Sequence, residues 1–173
     1  EVREAVEVLA GGGPSDVVEL TLALAREMLA AVGRDDVDPA DRLRDGTAMD
    51  RWRAMIAAQG GDPDAPLPAA RYTEELRAPG DGVLTELDAM AVGVAAWRLG
   101  AGRERQGEPV QAAAGIELHA KPGDRVRAGD TIATLHTDTP VKFPAAMATL
   151  GEGVHIADSA PATRPLVVER ITA

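Results

Sequence analysis

The sequence predicts an α+β protein, with a helical first third followed by short antiparallel strands mixed with helices. Three observations carry this. Apolar residues recur at helical spacing through residues 1–59. Residues 60–68 hold two Gly, three Pro and two Asp, and break that pattern. Beyond them, short apolar runs are punctuated by Pro-Gly-Asp and Ala-Gly-Asp turns. The boundary is placed there, giving segments 1–68 and 69–173.

The elements follow in order. Val2, Ala5, Val6 and Leu9 lie at i, i+3, i+4 and i+7, one apolar helix face, and Gly11-Gly12-Gly13 ends it. Pro14 suits a first helical turn, with Asp16 near the positive end of the dipole. From Val17 to Val32, apolar residues (Val17, Val18, Leu20, Leu22, Leu24, Met28, Leu29 and Val32) cover most of the circumference. That predicts a helix buried between other elements, closed by Gly33. Asp38-Pro39 is a cap followed by a first-turn proline, opening a short helix to Arg44. Thr47 is the expected N-cap of a helix to Gln59, whose inner face is Trp52, Met55 and Ile56.

In the second segment, strands are expected over 73–78 and 83–87 about the turn Pro79-Gly80-Asp81-Gly82. Asp88 caps a helix to about Leu99, ended by Gly100-Ala101-Gly102. Strands follow over 115–121 and 131–136, joined through Pro122-Gly123-Asp124 and Ala128-Gly129-Asp130. A helix over 140–150 is expected with a break at Pro144, then strands over 154–156 and 166–171.

Composition narrows the function. The net charge of −10 argues against nucleic acid, since phosphate binding needs clustered Lys and Arg, and against an anionic membrane surface. Without cysteine there is no disulfide or thiolate chemistry. No apolar run approaches the ~18 residues of a membrane span. Only Trp52, Tyr72, Trp97 and Phe143 are aromatic, so the core falls to Ala, Val, Leu, Ile and Met. The first residue is Glu1 rather than Met, which raises the expectation of a longer parent protein.

Few residues read as chemical groups. His119 and His136 fall on strands that could be neighbours, and His155 is distant. Two imidazoles without a clustered carboxylate or cysteine make a poor transition-metal site, so structural or surface roles are expected. Glu1, Glu4 and Glu7 alone supply too few oxygens for a hard cation, so composition leaves a site there undecided. Gly11-Gly12-Gly13-Pro14 lacks the spacing and the Gly-Lys-Ser/Thr ending of a phosphate loop, and follows a helix, so a helix–helix turn is expected. There is no Gly-x-Ser-x-Gly and no Ser/His/Asp set.

The turns Ala78–Val83, Pro122–Asp124 and Ala128–Asp130 together resemble the barrel-sandwich, or hammerhead, scaffold of biotinyl and lipoyl domains. Those carriers need a lysine at an exposed hairpin tip. Here that region reads His136-Thr137-Asp138-Thr139-Pro140, and Lys142 is displaced. A stand-alone biotinyl/lipoyl-like binding or structural module is therefore the rival reading.

A wider resemblance absorbs these features. One stretch runs Glu1-Val2-Arg3-Glu4-Ala5-Val6, Leu9, Gly11-Gly12-Gly13-Pro14-Ser15-Asp16-Val17-Val18-Glu19-Leu20 and on to Met28-Leu29. The other runs Leu99-Gly100-Ala101-Gly102-Arg103, then Gly115 to Val126 and Gly129-Asp130. In this order they closely resemble the C-terminal portion of thymidine and pyrimidine-nucleoside phosphorylases. The resemblance implies a parent enzyme that cleaves the N-glycosidic bond of thymidine or uridine with phosphate, giving free base and (deoxy)ribose 1-phosphate. It implies a cytosolic homodimer, with residues 1–68 a remnant of the large α/β domain and 69–173 a hammerhead-like α+β domain beside the cleft. The family's phosphate loop and base-binding residues match no position in this chain, so no catalytic or substrate-binding residue is carried over and the chain alone is expected to be inactive. No cofactor is required. A monovalent cation is bound in the bacterial pyrimidine-nucleoside enzymes, and the glutamate that helps hold it matches Glu4. Loss of preceding neighbours would leave the 17–32 helix with exposed apolar surface and a tendency to self-associate.

Overall fold

The computed structural model describes residues 1–162 and 165–171, and divides into two compact units. The first takes residues 1–65 with the chain's last residues, and the second takes 66–163.

The first unit is helical. Its helices are α1 (Val2–Leu9), α2 (Ser15–Ala31), α3 (Pro39–Arg44) and α4 (Thr47–Ala58). Gly13 lets the turn between α1 and α2 pass close to α1, because a Cβ there would stand 2.6 Å from Val8 Cγ2. Gly33 closes α2 as expected, its N–H bonding Ala30 O while Arg34 N reaches Leu29 O. Asp38 caps α3, its carboxylate accepting from Ala40 N at 3.1 Å.

Three expectations fail here. First, α2 is not buried between other elements and has no buried residue: Leu24 is 56%, Met28 66% and Val32 72% exposed, the apolar surface expected of this helix without preceding neighbours. The apolar surface is present, but the four short helices supply too few partners to cover it, and Val8 is the one buried residue among those described in this unit. Second, Thr47 is the first residue of α4 rather than its cap. Gly46 takes the cap position, and the Asp45 carboxylate accepts from both Thr47 N (2.9 Å) and Thr47 Oγ1 (2.6 Å). Third, Met55 is exposed, while Trp52 and Ile56 are half-buried.

The second unit is α+β, with two open three-stranded sheets that are antiparallel throughout. Its strands are β1 (Tyr72–Arg77), β2 (Gly82–Leu87), β3 (Gly115–Leu118), β4 (Arg125–Val126), β5 (Thr131–Thr137) and β6 (Val154–Ala157). One sheet has the order β1-β5-β3, the other β4-β2-β6. The helices are α5 (Ala89–Ala96), running into a π-type turn at Trp97–Ala101, and α6 (Phe143–Glu152), entered through a 3-10 turn at Pro140–Lys142.

Strand β5 organises the core through its alternation. Ala133 and Leu135 join Ala95, Leu99, Phe143, Ala146 and Leu150, which are supplied by α5, its following turn and α6. Ile132, on the opposite face, joins Ala78, Leu84, Ala120 and Val126 in a second cluster. Fully burying a side chain of the size of Leu135 stabilises by about 1.5–3 kcal/mol.

The two Gly-Asp turns are built alike. Asp124 accepts from Lys121 N at 2.7 Å, and Asp130 from Arg127 N at 2.8 Å. Gly123 and Gly129 supply the positive φ, +104° and +89°, that each turn needs. Each turn also pairs with a strand end: Gly123 N bonds Leu84 O and Leu84 N bonds Asp124 O, while Gly129 N bonds Ala78 O and Ala78 N bonds Asp130 O. The repeated sequence is thus a repeated hydrogen-bond pattern. Asp81 braces the second turn by accepting from Ala128 N.

Elsewhere the strands are shorter than expected or differ. β3 stops at Leu118; His119 N still bonds Ile132 O, but Lys121 is already committed to the turn. β4 has two residues, too few to leave a periodic signature. Pro144 does not interrupt α6, because it sits in the first turn, where no N–H is needed. Residues 166–171 form no strand; Val168 and Ile171 are exposed and no neighbouring strand takes up their backbone among the described residues.

Candidate functional site

Glu4 lies in the first turn of α1, where a carboxylate meets the positive end of the helix dipole. Its side chain is exposed. No group of three or more His, Asp or Glu residues, Glu4 included, is arranged to hold a metal ion among the described residues. Glu1 contributes its main-chain oxygen to Ala5 N, as part of the helix start.

The perturbed carboxylates lie in the turns around α3. The Arg34 guanidinium holds the Asp36 carboxyl below the usual carboxylate range. The Ala40 N–H, then the Arg26 side chain, do the same for Asp38, and the Thr47 hydroxyl and N–H for Asp45. A concavity of about 440 Å³ lies here, lined by Arg26, Glu27, Asp36, Asp38 and Arg170 among others. Its Arg26–Asp38 and Arg170–Glu27 pairs, at 3.0 and 2.8 Å, are exposed and fix the local fold only weakly.

The histidines occupy the surface of the second unit. β3 and β5 are neighbours, and His119 Nε2 lies 2.8 Å from Thr134 Oγ1 while His136 Nε2 lies 3.7 Å from Glu117. His155 lies 3.8 Å from Glu86. After Thr137 the chain turns into the 3-10 turn and α6 instead of a hairpin, so no hairpin tip presents Lys142.

A polar cluster that the sequence reading passed over sits at the end of β5. Thr137 is fully buried. Its hydroxyl is 2.7 Å from Leu99 O and 3.0 Å from Gln111 Oε1, and its single proton serves one of them at a time. Gln111 Oε1 accepts from Asp138 N at 2.7 Å, and Gln111 Nε2 donates to Thr139 Oγ1 at 3.0 Å. The available signal was a lone polar residue in the apolar run Val110-Gln111-Ala112-Ala113-Ala114.

Comparison with known proteins supplies the context. Residues 83–157 match the model of the pyrimidine nucleoside phosphorylase C-terminal domain. The thymidine phosphorylase of Mycobacterium tuberculosis is 56% identical over 171 residues, which is 99% of this chain and 40% of that protein. The pyrimidine-nucleoside phosphorylase of Staphylococcus epidermidis is 37% identical over 150 residues, 80% of this chain and 35% of the relative. That of Geobacillus stearothermophilus is 38% identical over 149 residues, 80% of this chain and 34% of the relative. The chain thus spans two fifths or less of the length of these relatives.

Proposed function

Because the chain belongs to the thymidine and pyrimidine-nucleoside phosphorylase family and carries its C-terminal domain, we propose that it is the C-terminal part of an enzyme that cleaves pyrimidine nucleosides with phosphate. In the reaction the bond from the sugar's C1′ to the base nitrogen breaks, a bond from C1′ to a phosphate oxygen forms, and the base leaves with a proton. Thymidine or another pyrimidine nucleoside and phosphate are the substrates, and the whole enzyme is a cytoplasmic homodimer. The observation that carries this reading is the near full-length match of this chain to a named thymidine phosphorylase.

Within that enzyme, residues 1–68 belong to the large α/β domain and residues 69–173 form the hammerhead-like domain, although residues 165–171 group with the helical unit. The exposed apolar residues of α2 support the first assignment, since they need neighbours this chain does not supply. The paired Gly-Asp turns support the second. Glu4 is one ligand of a monovalent cation whose other ligands lie outside this chain. Its exposed carboxylate at a helix start is free to serve in that way. The isolated chain has no phosphorolytic activity.

The test is phosphate-dependent release of thymine or uracil by the protein of the complete reading frame that contains this chain, with and without potassium. Turnover is expected, and Glu4→Gln should weaken its dependence on potassium. No base release with either nucleoside would overturn the proposal, and an unchanged potassium dependence would remove Glu4 from the cation site.

A further inference from the structure

Residues 102–114 connect the turn after α5 to β3 without helix or strand, a length at which a loop within a compact unit usually has a role. The two ends of this loop are made differently from its tip. At the base, Gln111 N donates to Gly100 O at 2.9 Å, and the Gln111 carboxamide joins Thr137, Asp138 and Thr139. Gly100 has φ +111°, and a Cβ there would lie 2.8 Å from Gln111 Nε2, so the side chain's seat exists only beside a glycine. The tip is exposed and holds itself together. Glu108 accepts from Glu104 N and Arg105 N at 3.2 Å, and Arg103 Nε donates to Glu108 O at 2.8 Å. One exposed tether, Trp97 Nε1 to Arg103 O at 3.1 Å, links the tip to the π-type turn.

We propose that Gln111 is a bolt that gives the 102–110 loop two discrete arrangements, seated and released. The side-chain contacts at its seat all run through one carboxamide, so they break together. Withdrawal leaves Asp138 N–H without its acceptor in a half-buried position, which makes intermediate positions unfavourable. Once released, the tip is held by its own exposed hydrogen bonds and the Trp97 tether, which then open more readily than on a seated loop. The device concerns this chain's own loop and does not depend on the identity of the substrate.

Hydrogen exchange by mass spectrometry on the intact chain tests it. Gln111→Ala should speed exchange across residues 102–110 by on the order of tenfold, while the β5 peptide keeps the wild-type rate. An unchanged loop rate would overturn the proposal, and so would an equal rise in β5, which would make Gln111 an ordinary core contact. If Gln111→Ala does not fold, Thr139→Ala removes only the acceptor of Gln111 Nε2 and is read the same way: a rise confined to the loop supports the bolt, and any other result overturns it.

Discussion

Asp38 shows how a single carboxylate is made to favour its charged form. It accepts from Ala40 N as the cap of α3 and meets the Arg26 guanidinium at 3.0 Å. Both contacts need the ionised form and hold its folded pKa below the ordinary 3.8. A depressed folded pKa contributes stability that is full above the unfolded value and is lost as pH falls through the folded one. The same sign holds for Asp36 and Asp45. The stability difference between the wild type and Asp38→Asn should therefore shift as pH is lowered from about 7 to about 3, with the wild type losing its charge-dependent share. Thermal melts at the two pH values check this, and a difference independent of pH would contradict it. The salt bridge adds little, because both partners are about half exposed.

At the scale of elements, α2 and β5 contrast. Both carry apolar residues, yet β5 buries Ala133, Leu135 and Thr137 on one face and Ile132 on the other, while α2 has no buried residue. Periodicity reports that a segment has apolar surface, and whether the chain provides something to cover it is a tertiary matter. This is why burial was expected for the 17–32 helix and is not found. Replacing Leu24 and Met28 by Lys should change stability by no more than about 0.5 kcal/mol each, while lowering self-association and the binding of an apolar dye. A large loss of stability by urea unfolding would show that these side chains are packed. The elements that were legible have local causes: the Asp38 and Asp88 caps, the Gly33 stop, and the Gly-Asp turns that fix where β5 begins. The elements that were missed depend on distant partners. Gln111 and Thr137 lie 26 residues apart and no local pattern joins them. The 166–171 run has the composition of a strand but no strand beside it among the described residues, and β4 is a strand only because β2 lies beside it. Of the candidate site, Glu4 was named through family likeness rather than spacing, and the cluster at Gln111 was not found at all.

At the scale of the whole molecule, the chain is mainly scaffold. The chain provides a well-packed α+β unit with two hydrophobic clusters and a helical unit with uncovered apolar surface. Among its described residues, no group of three or more His, Asp or Glu is arranged to hold a metal ion. On the proposed function, the residues that act on substrate lie in the three fifths or more of the relatives' length that this chain does not match. The most direct measurement is thymidine phosphorolysis, followed as release of free base in phosphate, by the purified 173-residue chain beside the protein of its complete reading frame. The account predicts turnover by the complete protein and none above background by the chain. Activity of the chain that scales with its concentration, or an inactive complete protein, would contradict it.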